Sequence, residues 1–430
     1  MSAAGSESAA MAELLSAEQL GHDRDAVKAM VKEYYGETLK TSSDLRTSSC
    51  CGCKAPPPAL RSALAAVPAE VKEKFYGCGN PIPAGIEGLR VLDLGCGSGR
   101  DCYVAAKLVG EKGSVTGVDM TPAQLEVAIS HADAYCKDKL GYAKSNMTFI
   151  QGEIEYLDKA GIKDSCVDLI ISNCVINLSP DKARVLSEAY RVLAPGGEMH
   201  FSDVYCDRRL PQSVRTHPVL LGECLAGALY NNDFIRLCRK VGFADPRQLV
   251  REELQVLDPE LRALLKEARF YSITYRLFKV PGQIEDLCEG YGQLAVYKGT
   301  IPGHTHSYDL DDHHNFVTYK PQRVCGNTAA MCGQTWLAPH FTIIGDRAVH
   351  LGQFDCSGGN DNTSSGNQPI NNTSNGGCCV GGPPAPCCGG AGTGGSTAAA
   401  SGATGGGCCG GGGGGGSGGG AGHGSGSCCG

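Results

Sequence analysis

RVLDLGCGSGRDC, residues 90–102, decides the fold. A short apolar run ends at Asp93 and Leu94. Glycines then recur at Gly95, Gly97 and Gly99, and the helical stretch RDCYVAAKLV follows at once. Glycine lets a backbone turn tightly and approach a ligand closely, so the segment reads as strand, turn and helix around a bound nucleotide-like group. The spacing is G-x-G-x-G rather than G-x-G-x-x-G, and there is no Gly-Lys-Ser/Thr, which excludes a phosphate-cradling P-loop.

Outward from this turn, strand and helix patterns alternate. SVTGVDM is a strand ending near Asp119, where a carboxylate can accept hydrogen bonds from ribose hydroxyls. Thr121-Pro-Ala-Gln124 opens a helix with Thr as N-cap and Gln at N3 in a capping box. MTFIQG and VDLIISNCV are strands, and Ser179-Pro180-Asp181 caps a helix that runs to about Leu193. Ala194-Pro195-Gly196-Gly197 is a turn, and EMHFSDVY is a further strand. Such alternation predicts a mainly parallel sheet covered on both faces. Asp93, at the end of the first strand, suits a cationic amino group.

The remaining chain divides by composition. Residues 1–69 form an arm with short helical patterns and the cluster Cys50, Cys51 and Cys53. Residues 70–245 are the α/β domain, 246–356 a smaller α+β region, and 357–430 a Gly/Cys-rich tail expected to be disordered, because it cannot bury enough apolar surface. Cysteine pairs recur in that tail at Cys378-Cys379, Cys387-Cys388, Cys408-Cys409 and Cys428-Cys429. The 430 residues carry a net charge of −7 with no basic stripe, so nucleic acid is not an expected partner. No apolar run is long enough to span a membrane, and the N-terminus lacks the pattern of a signal peptide. With 24 cysteines and no secretory signal, a cytoplasmic chain with reduced thiols is expected.

Most single cysteines are small buried apolar residues, and Cys96, Cys102, Cys136, Cys166, Cys206 and Cys238 are read as structural. Cys174 differs, because it ends the fourth strand at the ligand edge of the sheet. Cys224 lies in the helical segment after the fifth strand, and Cys50 and Cys78 lie in or beside the arm. His304, His306, His313 and His314 with Asp311 and Asp312 match no standard zinc spacing and are read as a solvated hairpin.

The Gly95–Gly99 turn, Asp119, Gly152-Glu153-Ile154 and Leu193–Gly197 together resemble the class I S-adenosylmethionine-dependent methyltransferases. That resemblance implies a Rossmann-like fold with a mainly parallel seven-stranded sheet. It implies a cofactor site made of Asp93, Gly95, Cys96, Gly97, Ser98, Gly99, Asp119, Met120, Glu153, Ile154 and Asn173. The longer stretches YYGETLKTSSDLRTSSC, KFYGCGNPIP, ISNCVINLSPDKARVLSEAYRVL and LGECLAGALY resemble the arsenite methyltransferases. This second resemblance implies that Cys50, Cys78, Cys174 and Cys224 are the functional thiols. Arsenic(III) would be held by Cys78, Cys174 and Cys224, with Cys50 or Cys51 a further ligand or a recycling thiol, and Tyr76 would shape the pocket.

The chemistry suits these residues. Trivalent arsenic is soft and thiophilic, and three thiolates leave it a lone pair that can attack a sulfonium methyl without a general base. Arsenite or its thiol conjugate is the expected substrate, and glutathione or thioredoxin the expected reductant of a monomeric enzyme making mono- and dimethylated products. Two other readings stay open: a small-molecule C- or O-methyltransferase, and a non-catalytic thiol protein that sequesters arsenite.

Overall fold

The RVLDL run forms the central strand because alternate residues bury on opposite faces. Val91 enters one core with Val115, Leu169 and Ile171, whereas Leu92 and Leu94 enter another with Val118 and Ile170. A strand apolar on both sides has to be covered by helices on both sides. The computed structural model describes residues 24–33, 58–75 and 77–356.

The sheet strands are β1 (Arg90–Leu94), β2 (Ser114–Asp119), β3 (Met147–Gln151), β4 (Val167–Asn173), β5 (Leu193–Cys206), β6 (Leu229–Tyr230), β7 (Arg247–Leu254) and β8 (Phe270–Phe278). Their order is β3-β2-β1-β4-β5-β8-β7, with β6 paired to β5 beside that path. The first five are parallel, and β8 runs antiparallel to both β5 and β7. The expected turn at Ala194–Gly197 is an excursion within β5: Val167 pairs with Leu193, and Leu169 pairs next with Glu198. The boundary drawn at residue 245 does not divide the fold, because β7 and β8 complete the same sheet. β8 pairs along β5 and β7 along β8, a pairing of distant segments that sequence position alone does not show.

The helices are α1 (Arg24–Glu33), α2 (Pro58–Ala66), α3 (Ala69–Glu73), α4 (Arg100–Val109), α5 (Pro122–Ser130), α6 (Lys182–Val192), α7 (Gln212–Arg215), α8 (Pro218–Gly222), α9 (Asn231–Val241), α10 (Pro259–Leu265) and α11 (Gly326–Gly333). Leu60 and Ala63 of α2 and Tyr103, Val104 and Val109 of α4 cover one face. Val185, Leu186 and Ala189 of α6 and Phe234 and Leu237 of α9 cover the other. Asp181 caps α6 by accepting from the Arg184 N–H at 2.9 Å. The capping box at Thr121 does not form: its side chain makes no cap bond, and the Thr121 N–H goes instead to Asp119 at 2.8 Å.

Beyond β8 lies a small antiparallel sheet of β9 (Leu294–Tyr297), β12 (Gln322–Arg323) and β13 (Phe341–Ile344), with the hairpin β10 (Ser307–Asp309) and β11 (Asn315–Val317). Its core contains Tyr297, Tyr308, Phe316, Met331 and Phe341. Buried polar contacts tie it to the main sheet. Arg276 of β8 holds Glu198 of β5 through two bonds of 2.6 and 2.9 Å, and Trp336 donates to the same carboxylate at 2.8 Å. A hydrogen-bonded pair this deep is costly to break one partner at a time. The hairpin is only partly the solvated one expected: His306, Asp312 and His313 are exposed, but Asp311 and His314 are buried, and Asp311 binds Arg247 at 2.9 Å and His314 at 2.8 Å. The tail at 357–430 with its cysteine pairs, and Cys50, Cys51, Cys53 and Tyr76, lie outside the described residues.

Candidate functional site

The carboxyl ends of β1, β2 and β4 open into a cleft of about 990 Å³, its mouth included. This is the edge at which ligands bind in open parallel sheets. Gly95, Gly97 and Gly99 adopt φ of 69°, 53° and 90°. A Cβ on Gly95 would stand 2.3 Å from Cγ1 of Val175, so no larger residue fits that turn. Asp119 fixes the loop by accepting from the Gly97 N–H at 2.9 Å. Ser98 donates to the Val71 carbonyl at 2.9 Å and so joins the loop to α3 of the arm.

Asp93 is 3% exposed. Burial and the neighbouring Asp101 charge push its carboxyl up to about 8. A buried acid of this kind fits a cationic group brought in by a ligand, because a cation would restore its charge. Burial also raises Asp119 above the usual carboxylate range and Cys96 to about 11, which leaves Cys96 an unreactive thiol against the loop. Met120, Glu153 and Ile154 line the far side of the cleft. The glycine cradle, the buried acid and the carboxylate one βα unit on are together what an aminoacyl nucleoside such as S-adenosylmethionine requires.

The structure brings Cys78, Cys174 and Cys224 into one buried cluster beside this cleft. The expectation of reduced thiols fails at two of them: Cys78 and Cys174 are joined in a disulfide, their Cα atoms 5.9 Å apart. The loop after α3 crosses the end of β4 and lays one sulfur on the other. Cys224 is not disulfide-bonded, and its Sγ donates to the Cys174 carbonyl at 3.2 Å. Cys174 and Cys224 both have positive φ, 58° and 60°. Left-handed backbone is uncommon for residues with a Cβ and persists only where surrounding structure enforces it.

Polar side chains hold the loops that carry these thiols. Asn173 was expected near the reacting centre, and it lines the cleft. Its amide holds the Cys78 loop: Oδ1 accepts from the Cys78 N–H at 2.8 Å, and Nδ2 donates to the Gly79 carbonyl and to Asp101, both at 3.0 Å. Ser272 of β8 donates to the Cys78 carbonyl at 2.9 Å. His200 of β5 bonds the Pro81 carbonyl through Nδ1 at 2.8 Å, and a carbonyl can only accept, so Nδ1 carries the proton.

On the other side, Asn177 bonds the carbonyls of Val204 and Cys224. The Asn177 N–H goes in turn to Asp203 at 3.0 Å. Gly227 lets the two loops meet, because a Cβ there would lie 1.9 Å from the Asn177 carbonyl oxygen. Helix α1 adds Lys28, whose Nζ binds Glu153 at 2.5 Å, so the arm closes on the cleft. Polar residues inside the buried run EMHFSDVY were the sequence signal for His200 and Asp203. Lys28 had no such signal.

A methyltransferase-domain family matches residues 86–242. The arsenite methyltransferase of Aquipseudomonas alcaligenes is 52% identical over 330 residues, 76% of this chain and 94% of that protein. The arsenite methyltransferase of Homo sapiens is 46% identical over 330 residues, 75% of this chain and 86% of that protein. The crystal structure of an arsenic(III) S-adenosylmethionine methyltransferase from Chlamydomonas reinhardtii is 85% identical, with a TM-score of 0.69, and matches 70% of this chain and 100% of that one. With relatives this similar over most of their length, and with the cleft and thiol cluster described above, the chain belongs to the arsenite methyltransferase family.

Proposed function

We propose that this protein methylates trivalent arsenic with S-adenosylmethionine, taking arsenite as a thiol conjugate and releasing mono- and dimethylated products. The observation that carries this reading is the pair of left-handed cysteines, Cys174 and Cys224, clustered with Cys78 beside the cleft. Strained backbone is retained where function needs a side chain in one place. Among the chain's own groups, soft thiolates are the natural ligands for a soft metalloid.

In this reading Cys174 and Cys224 hold arsenic through every round, and Cys78 is the third ligand. Asp93 pairs with the cationic amino group of the cofactor, and the Gly95–Gly99 turn passes beneath its methionine part. Asp119 accepts from its ribose, and Met120, Glu153 and Ile154 flank its adenine. When bound, S-adenosylmethionine supplies an electrophilic methyl group suited to the arsenic lone pair. No protein base is needed, because that lone pair carries no proton. The chain's task is therefore to position the metalloid and exclude water. Accepting a methyl cation takes arsenic formally from trivalent to pentavalent, and joining two thiolates as a disulfide returns it to trivalent. The Cys78–Cys174 bond supports this reading only in that two of the cluster's sulfurs reach each other. Reopening it consumes two external thiols, for which glutathione or thioredoxin serves, with Cys50 or Cys51 relaying by exchange. The same reading makes the protein a cytoplasmic monomer. Among the described residues no helix is long and apolar enough to cross a membrane.

The test incubates the purified, reduced chain with arsenite, glutathione and methyl-labelled cofactor and follows label onto arsenic. Label is expected first on monomethylated and then on dimethylated arsenic. Arsenite binding without label transfer would sink the catalytic reading and favour a sequestering protein. A Cys78→Ser chain is expected to fail on arsenite yet still methylate monomethylated arsenic.

A further inference from the structure

A second thiol constellation lies outside the cleft. The sulfurs of Cys288, Cys325 and Cys356 lie within 4.8 Å of one another. None of the three is in a disulfide, and none lines the cleft. Cys288 follows β8, Cys325 is the N-cap of α11, and Cys356 stands at the end of the described chain. We propose that Cys288, Cys325 and Cys356 form a second binding site for trivalent arsenic, separate from the methyl-transfer site.

The backbone holds these three segments together without any ligand. The Gly326 N–H donates to the Glu289 carbonyl at 2.9 Å, and the Phe354 N–H to the Cys288 carbonyl at 2.7 Å. The Gly290 N–H donates to the Gly352 carbonyl at 2.7 Å, so each of the three cysteines carries an inter-segment bond or lies within two residues of one. A site already assembled avoids the cost of ordering on binding.

Polar groups reach into the cluster. The Cys325 sulfur lies 3.3 Å from the Thr328 hydroxyl. The Thr328 N–H, at the start of α11, points to the same sulfur at 3.4 Å. Cys325 is fully buried and Cys288 nearly so, whereas Cys356 is partly exposed and gives a ligand its way in.

The ligand count selects the ion. Structural zinc takes four protein ligands in a tetrahedron. Among the described residues the cluster holds three sulfurs and no fourth histidine or carboxylate. Trivalent arsenic takes three sulfurs in a pyramid and keeps its lone pair. Binding is an exchange without redox change: arsenous acid loses three hydroxyls, each leaves as water with one thiol proton, and three As–S bonds replace three As–O bonds. The inference rests on soft-ligand chemistry and stands apart from the methyl-transfer reading.

The test uses the full reduced chain with arsenite as the probe. Bound arsenic per chain is measured by equilibrium dialysis. Shielding of each cysteine from maleimide is read peptide by peptide. Cys288, Cys325 and Cys356 are expected to become shielded together. Cys356→Ser is expected to bind about one arsenic fewer per chain and to expose the other two thiols again. Cys325→Ser should behave alike. If that fully buried change unfolds the chain, the partly exposed Cys356→Ser still decides the matter. Equal arsenic in wild type and Cys356→Ser, without joint shielding, overturns the site. Zinc that co-purifies with wild type and is lost in Cys356→Ser overturns the arsenic assignment.

Discussion

Two sets of three cysteines occupy this fold, and their backbones differ. Cys174 and Cys224 sit at positive φ beside the cleft, where Asn177 bonds the Cys224 carbonyl and Asn173 the Cys78 N–H. Cys288, Cys325 and Cys356 take ordinary backbone and are joined by hydrogen bonds between loops. Grouping thiols requires no strain, as the second set shows. The positive φ of Cys174 and Cys224 is therefore not a cost of grouping thiols, and under the proposed function it fixes where those two thiols point.

The sharpest way to break this contrast is to remove one sulfur from each set. Cys174→Ser or Cys224→Ser is expected to cut label transfer to arsenic by roughly a hundredfold or more, since a displaced reactant alone loses that much. An equal loss from Cys325→Ser would make the two sets functionally alike. Next in size is Asp93→Asn. With the buried carboxylate gone, cofactor affinity should fall by about thirtyfold or more in calorimetry, consistent with loss of one partner of a buried pair. Arsenite binding should be unchanged in that variant.

Gly227→Ala tests how the strained pair is held. Its Cβ cannot share space with the Asn177 carbonyl, so the Cys224 loop must move. A loss of about 1–3 kcal/mol in denaturant unfolding is expected, with lower turnover and intact maleimide shielding at Cys288, Cys325 and Cys356.

His200 gives a pH test of the Cys78 anchor. Burial holds its imidazole down at about 4, against 6.5 ordinarily. The unfolded chain therefore takes up the proton first as pH falls. Stability is full above about 6.5 and is lost toward 4, by ~2 kcal/mol at pH 5. His200→Asn keeps a donor for Pro81 and should flatten that slope between pH 7 and pH 5. The smallest effect belongs to Cys356→Ser, for which methyl transfer at saturating arsenite should stay within about twofold of wild type, the scatter of a surface change.

Much of the cleft was legible because its signals are local. Strand length, the alternate glycines and Asp119 each lie within one βα unit, so Gly95–Gly99 and Asp119 could be placed from spacing. Asp203, His200 and Ser272 could not be assigned, because each acts on a loop far away in the chain. The boundary at residue 245 failed for the same reason: β8 pairs with β5, and β7 with β8, across chain separations that no short pattern measures.

By itself, the amino-acid order determined the doubly covered sheet, the cofactor turn and the singular position of Cys174 at a strand end. These follow from periodicity and from steric freedom at glycine, which neighbouring residues settle. Tertiary structure alone decided that Cys78 lies against Cys174, that Cys224 is bent into left-handed backbone, and that Cys288, Cys325 and Cys356 meet. Bringing distant sulfurs within bonding range depends on how loops pack over a finished sheet, and no local propensity encodes that distance.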